Sequence, residues 1–146
     1  MTPTLMGRWQ TRLFLLGSIG LAVTLIFGYI FNDYITPLAA LGYVLVIGFV
    51  WDIVYDYAQT FRWDQDWPPV LQWVGAIIEA VFLWGLILLG NQITLFGTGL
   101  PGISPNLTLG MFAAHYTSVW VLVFIASQAL MRIIFPRWRF DGGQWI

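Results

Sequence analysis

Four long apolar stretches, each closed by a short polar or turn-forming segment, make up most of this chain. A helix crossing a hydrocarbon core of about 30 Å needs about 20 residues. The stretches Leu13–Phe31, Leu38–Tyr57, Val70–Leu89 and Met111–Phe135 meet that length. Asn32, Asp33 and Tyr34 close the first hairpin, and Pro37 suits the entry of the second helix, where a missing N–H costs nothing. Asp64, Asp66, Pro68 and Pro69 separate the second and third stretches. The longest break, Asn91 to Gly110, carries Gly97, Gly99, Pro101, Gly102 and Pro105 and is expected to be a loop. Its apolar residues Leu95, Phe96, Leu100 and Ile103 suit a segment that folds back onto the bundle or lies in a membrane interface. The pattern predicts an all-α membrane protein, integral and multi-pass, with one four-span transmembrane domain over residues 1–146.

Composition sharpens the class. The chain is 59% hydrophobic and 9% charged, far below the roughly 25% charged residues of soluble domains. Nine Trp and an aromatic content of 18% fit helix ends that sit at membrane interfaces. A net charge of −1 leaves no basic face for nucleic acid. With no cysteine, disulfides, thiolate metal sites and thiol redox chemistry are excluded. The first stretch follows Arg8 and Arg12, as a secretory signal would. It exceeds the roughly 7–15 residues of a signal core and lacks a small-residue cleavage site, so a retained span is expected.

The cations set an orientation. All are Arg: Arg8 and Arg12 before the first span, Arg62 between the second and third, and Arg132, Arg137 and Arg139 at the end of the fourth. The connections after spans one and three carry none, so both termini and the middle connection are expected to be cytoplasmic. Three Arg-Trp pairs, Arg8-Trp9, Arg62-Trp63 and Arg137-Trp138, fall on that side. They read first as interfacial anchors and second as a docking rim, extended by Trp67, Asp64, Asp66 and a tail ending in Trp145. Gly20, Thr24 and Gly28 at four-residue spacing, with Ala76 and Ala80, suit close helix packing within the bundle.

Ionisable residues inside a span are functional candidates because a charge there is costly unless paired, protonated or wetted. With 1.5 Å of rise per residue, Asp56 falls about 3 Å, Asp52 about 9 Å, Glu79 about 15 Å and His115 about 25–30 Å from the cytoplasmic boundary. This staircase predicts a proton or cation pathway: Asp56 and Asp52 at the inner mouth, Glu79 as central carrier, His115 as outer relay. Gln128 and Arg132 lie at the depths of Asp52 and Asp56, so facing pairs Asp52–Gln128 and Asp56–Arg132 are the structural alternative. Glu79 has no partner at its level; Ala22 or Thr24, Gly48 and Phe124 are expected opposite it. Asp52 and Asp56 share a helix face and suit one cation, with Glu79 a further ligand; His115 is too far away to join them. The metal therefore stays unassigned, as does any cofactor. One His cannot supply bis-His haem ligation. Ser118 near His115 is too common a spacing to indicate a hydrolase, and Asn106-Leu107-Thr108 is a glycosylation sequon only in a eukaryotic secretory route.

Three functions follow. The first is proton or cation handling, in a homo-oligomer or larger assembly since four spans are few for a lone transporter. The second is a non-catalytic accessory subunit of a larger membrane complex. The third is a pigment or hydrophobic-ligand binder using His115, Glu79, Tyr116, Trp84 and Trp120. No catalytic motif is present and enzymatic activity is not expected. The lipid bilayer is the one partner common to all three.

Overall fold

The computed structural model describes residues 3–63, 67–93, 99–138 and 140–144. Asp64, Asp66, Leu95, Phe96, Arg139 and Trp145, expected at the rim or in the outer loop, lie outside the described residues. Among the described residues the regular structure is all helical, in the order α1 (Leu5–Phe31), α2 (Ile35–Gln59), α3 (Pro69–Ile93), α4 (Leu109–Gln128) and a single extra turn, α5 (Leu130–Ile134). Among the described residues four helices are long and apolar enough to cross a membrane. Large apolar side chains such as Ile26, Val46, Val81 and Ile125 point outward around the bundle. That is the surface a helix needs when its solvent is hydrocarbon.

Local chemistry explains where each helix starts and stops. Thr4 caps α1 by accepting from the Gly7 N–H at 3.2 Å. Asn32 ends α1 in the left-handed region (φ 52°), which Asn tolerates. Asp33 starts α2: its Oδ1 accepts from the N–H groups of Ile35 and Thr36, and its Oδ2 from the Thr36 hydroxyl. Thr108 caps α4 through the Met111 N–H. Within α1 the segment Leu16–Gly20 is a π turn, one residue wider than its α-helical neighbours.

The first helix starts two turns earlier than hydropathy predicted, and Arg12 is inside it. Residues Leu5–Leu15 average near-zero hydrophobicity because Arg8, Gln10 and Arg12 dilute the apolar positions. Arg12, Leu15 and Leu16 nevertheless share one helical face, at steps of three and four residues, before the π turn shifts the register.

Both terminal segments meet at one end of the bundle. The Thr4 N–H donates to the Gly142 carbonyl at 2.8 Å, Thr11 Oγ to the Gly143 carbonyl at 3.2 Å, and Trp138 Nε1 to Thr11 Oγ at 2.9 Å. A Cβ on Gly7 would stand 2.2 Å from the Gly142 oxygen, so only glycine admits this contact. At the other end the segment after residue 98 folds back onto the helices. Ile103 is buried with Ala40, Leu83, Ile87 and Phe112. Tyr43 Oη donates to the Pro101 carbonyl, and the Ser104 N–H to Thr36 Oγ. Gly20, Thr24 and Gly28 are all buried, which places the small-residue face inside the bundle.

The α1–α2 hairpin yields a prediction. The Thr36 hydroxyl and the two N–H groups hold the Asp33 carboxyl below the usual carboxylate range. A lowered folded pKa stabilises above the ordinary range and is lost as pH falls through it; here the effect is small because Asp33 is solvent-facing. Asp33→Ala should destabilise by about 1 kcal/mol and Asp33→Ser by less. Unfolding midpoints in detergent, compared at neutral and acid pH, should show the Ala penalty shrinking as pH falls.

Candidate functional site

At the centre of the bundle the Arg12 guanidinium from α1 is clamped between two acids. Its Nε and Nη2 donate to Asp52 Oδ2 and Oδ1, both at 2.9 Å. Its Nη1 and Nη2 donate to Glu79 Oε2 and Oε1 at 3.0 and 3.1 Å. Asp52 comes from α2 and Glu79 from α3, so one planar group joins three helices through two bidentate pairs. Gly48, one turn from Asp52, makes the approach possible: a Cβ there would meet Arg12 Nη1 at 2.1 Å. Two hydroxyls brace α3 just before Glu79. Tyr55 Oη donates to the Gly75 carbonyl at 3.2 Å, and Tyr116 Oη to the Ala76 carbonyl at 2.9 Å.

This geometry corrects the expectation for Glu79. It has a partner, and the residue opposite it from α1 is Arg12 rather than Ala22 or Thr24. Gly48, also expected there, lies against the Arg12 guanidinium. The facing pairs Asp52–Gln128 and Asp56–Arg132 do not form. Gln128 instead accepts from Arg132 Nη2 at 2.9 Å and donates to Gln72 Oε1 at 3.2 Å, tying α4 to α3. Asp56 is half-buried and makes no hydrogen bond or ion pair among the described residues. Two steps of the staircase therefore merge, because the long Arg12 side chain gathers Asp52 and Glu79 together, while Asp56 and His115 make no hydrogen bond to that group among the described residues. The Arg12 cation also occupies the position a metal would take between the two acids. Among the described residues no three His, Asp or Glu side chains group as metal ligands.

His115 lies further along, at the buried face of α4. Its Nε2 is 2.9 Å from Thr24 Oγ, and its ring meets Phe27 edge-on with centroids 5.4 Å apart. Trp84, a candidate for the same ligand site, packs on Phe112 instead. Of the Arg-Trp pairs, only Arg62-Trp63 fits an open rim, with Trp63 95% exposed. Trp138 is buried, and Arg137 alone of that pair is exposed. Trp9 donates from Nε1 to the Phe49 carbonyl. Arg8 donates to Gln59 Oε1 at 2.7 Å and lies over the Trp67 ring, 4.6 Å from its centroid.

A cavity of about 350 Å³ links these groups. Arg8, Pro68, Gln72 and Arg132, near the end that carries both termini, are among its lining residues. Arg12, Asp52 and Glu79 form its middle, and Leu16, Leu41, Val44, Val119 and His115 its inner part. Beyond His115 the core of Leu83, Ile87 and Ile103, each no more than 4% exposed, closes the bundle. Ala40 and Phe112 of that core also line the cavity. The chain matches no protein-family model, no curated protein and no solved structure.

The clamp makes a testable demand. Removing one partner of a buried charge network strands the others at a cost of about 3–5 kcal/mol, whereas neutral packing in its place is often tolerated. Arg12→Met should lose stability on that scale. The triple variant Arg12→Met, Asp52→Asn, Glu79→Gln should recover most of it. Thermal unfolding of the purified variants in one detergent compares the two.

Proposed function

We propose that this chain is a multi-pass membrane protein that binds a small amphipathic molecule in its central cavity, with both termini cytoplasmic. The orientation rests on Arg8, Arg62, Arg132 and Arg137, which all lie toward the end that joins the termini. The binding reading rests on one observation: a cavity with mostly apolar walls and a few convergent polar groups, set against a closely packed apolar core. Ligand sites have this make-up, a mostly apolar cleft with sparse polar anchors at a volume of about 300–1,000 Å³. A conducting path would need polar or hydrated continuity on both sides of Glu79, and Leu83 and Ile87 fill the far side.

A second reading is favoured by charge. Three acids, Asp52, Asp56 and Glu79, face the two guanidiniums of Arg12 and Arg8, and a surplus acid at low dielectric calls for a proton or a cation. The clamp then serves as a proton-binding site loaded from the terminal end of the cavity, and transport requires the far side to open.

Two experiments separate the readings. Ala76 is buried and lines the cavity. Ala76→Phe should fill it and reduce co-purifying lipid-like molecules, counted by native mass spectrometry, by at least about tenfold. Equal ligand loading in a folded variant would remove the binding reading. For the second, Glu79→Gln protein, checked by circular dichroism, should show no pH-driven flux in liposomes, and native-like flux would remove proton handling.

A further inference from the structure

We infer that the inner end of the cavity is a hydrogen-bond acceptor site formed by His115 Nδ1, selective for a neutral amphiphile that leads with a hydroxyl or N–H group. This rests on the binding reading above and specifies which chemistry the site takes.

The argument begins at Thr24. Its hydroxyl has one proton and two neighbours: the Gly20 carbonyl at 2.7 Å and His115 Nε2 at 2.9 Å. A carbonyl can only accept, so the Thr24 proton goes to Gly20, the common back-bond from Thr to the carbonyl four residues earlier. The contact with His115 is then satisfied only if Nε2 carries hydrogen and donates. An imidazolium in this setting would need a counter-charge. Asp52 and Glu79 are both engaged by Arg12, about three turns away along α1. The ring is therefore neutral, protonated on Nε2, with a bare lone pair on Nδ1. The network assigns this tautomer.

No hydrogen bond reaches Nδ1 among the described residues, although His115 is only 5% exposed and lines the cavity. Leu16, Leu41, Val44 and Val119 line the same cavity and bring no polar side chain, and the hydroxyl of Tyr116, also in the lining, is spent on the Ala76 carbonyl. A buried water needs two to four polar partners, so water is a poor occupant here. A ligand donor needs only one acceptor, while its apolar body covers the walls. Displacing a poorly held water with such a group gains affinity. The chemistry selected is that of an amphipathic alcohol, phenol or amide N–H; ethers, esters and carboxylates bring only acceptors to an acceptor.

The single histidine of the chain makes the test direct. Protein carrying a histidine-free affinity tag and ¹⁵N-labelled histidine is studied in micelles with two probes, 1-dodecanol and its methyl ether. The unliganded spectrum should show one protonated nitrogen, Nε2, and one bare nitrogen, Nδ1. Dodecanol should move the Nδ1 resonance toward lower shift, and the ether should leave it in place. Titration by Trp fluorescence should give dodecanol roughly a fivefold to tenfold advantage over the ether, the scale of one net hydrogen bond. His115→Leu should equalise the two, and the arms on the native protein hold even if that variant fails to fold. A proton on Nδ1 in the unliganded protein overturns the inference, as does equal affinity for both probes with no Nδ1 shift. Binding of neither probe overturns the pocket reading together with this one.

Discussion

Nearly every feature of this bundle depends on one guanidinium held between two carboxylates. Arg12, Asp52 and Glu79 come from three different helices, and their four hydrogen bonds fix the rotation and height of each helix relative to the others. A carboxylate buried without a partner would carry a desolvation cost of several kcal/mol. Arrangements that separate the three residues are therefore strongly disfavoured. The clamp does not thereby add much net stability, since hydrophobic side chains of similar volume pack at no such cost. What it adds is selectivity among packings that apolar side chains alone leave nearly equal. Gly48 and the tyrosine hydroxyls of Tyr55 and Tyr116 serve that geometry: one removes an obstacle, and the others hold α3 where Glu79 must sit.

The clamp also accounts for the cavity. A flat guanidinium with a carboxylate on either side forms a rigid, thin layer, and α4 contributes no atom to it. On the α3 and α4 sides the cavity lining combines the small Gly75, Ala76 and Val119 with the larger Tyr116, Trp120 and Phe124. Leu or Phe in place of the small residues would narrow it. The charged layer and the empty volume are two sides of the same substitution of polar bonding for apolar filling.

The helix pattern was legible because twenty-residue apolar runs broken by Pro, Gly and Asp leave few alternatives. The folded-back loop was also anticipated through Ile103 and Leu100. The partnership of Arg12 was missed for a specific reason. A hydropathy window begins the first helix at Leu13, so Arg12 looked like a flanking charge that orients the span from outside. Extending the buried face of Leu15 and Leu16 back by one turn lands on Arg12 and would have revealed the cation for the unpartnered Glu79. With Arg12 assigned outside, Gln128 and Arg132 were the remaining partners for the acids, and depth alone could not show that they bond to each other. Trp138 was misplaced because an Arg-Trp pair reads as interfacial, and only tertiary structure reveals that the chain turns back to put its indole on Thr11. No local signal predicts the meeting of Thr24 with His115.

That last contact depends on the π turn. Residues four apart on a regular helix step round by about 40° each time, so Arg12 and Thr24 would diverge by about 120° and could not both face the interior. A π turn admits one extra residue and takes back about 100° of that drift. Leu16–Gly20 therefore lets α1 present Arg12 to the acids at one level and Thr24 to His115 at another. Hydroxyls bond to carbonyls on both flanks of the widened turn, Ser18 to Phe14 at 2.6 Å and Thr24 to Gly20 at 2.7 Å. The second of these bonds also sets the histidine tautomer. A one-residue insertion in the helix thus connects the charged layer, the cavity and the acceptor at its inner end. The five residues Leu-Gly-Ser-Ile-Gly are as much a part of the site as the groups that line it.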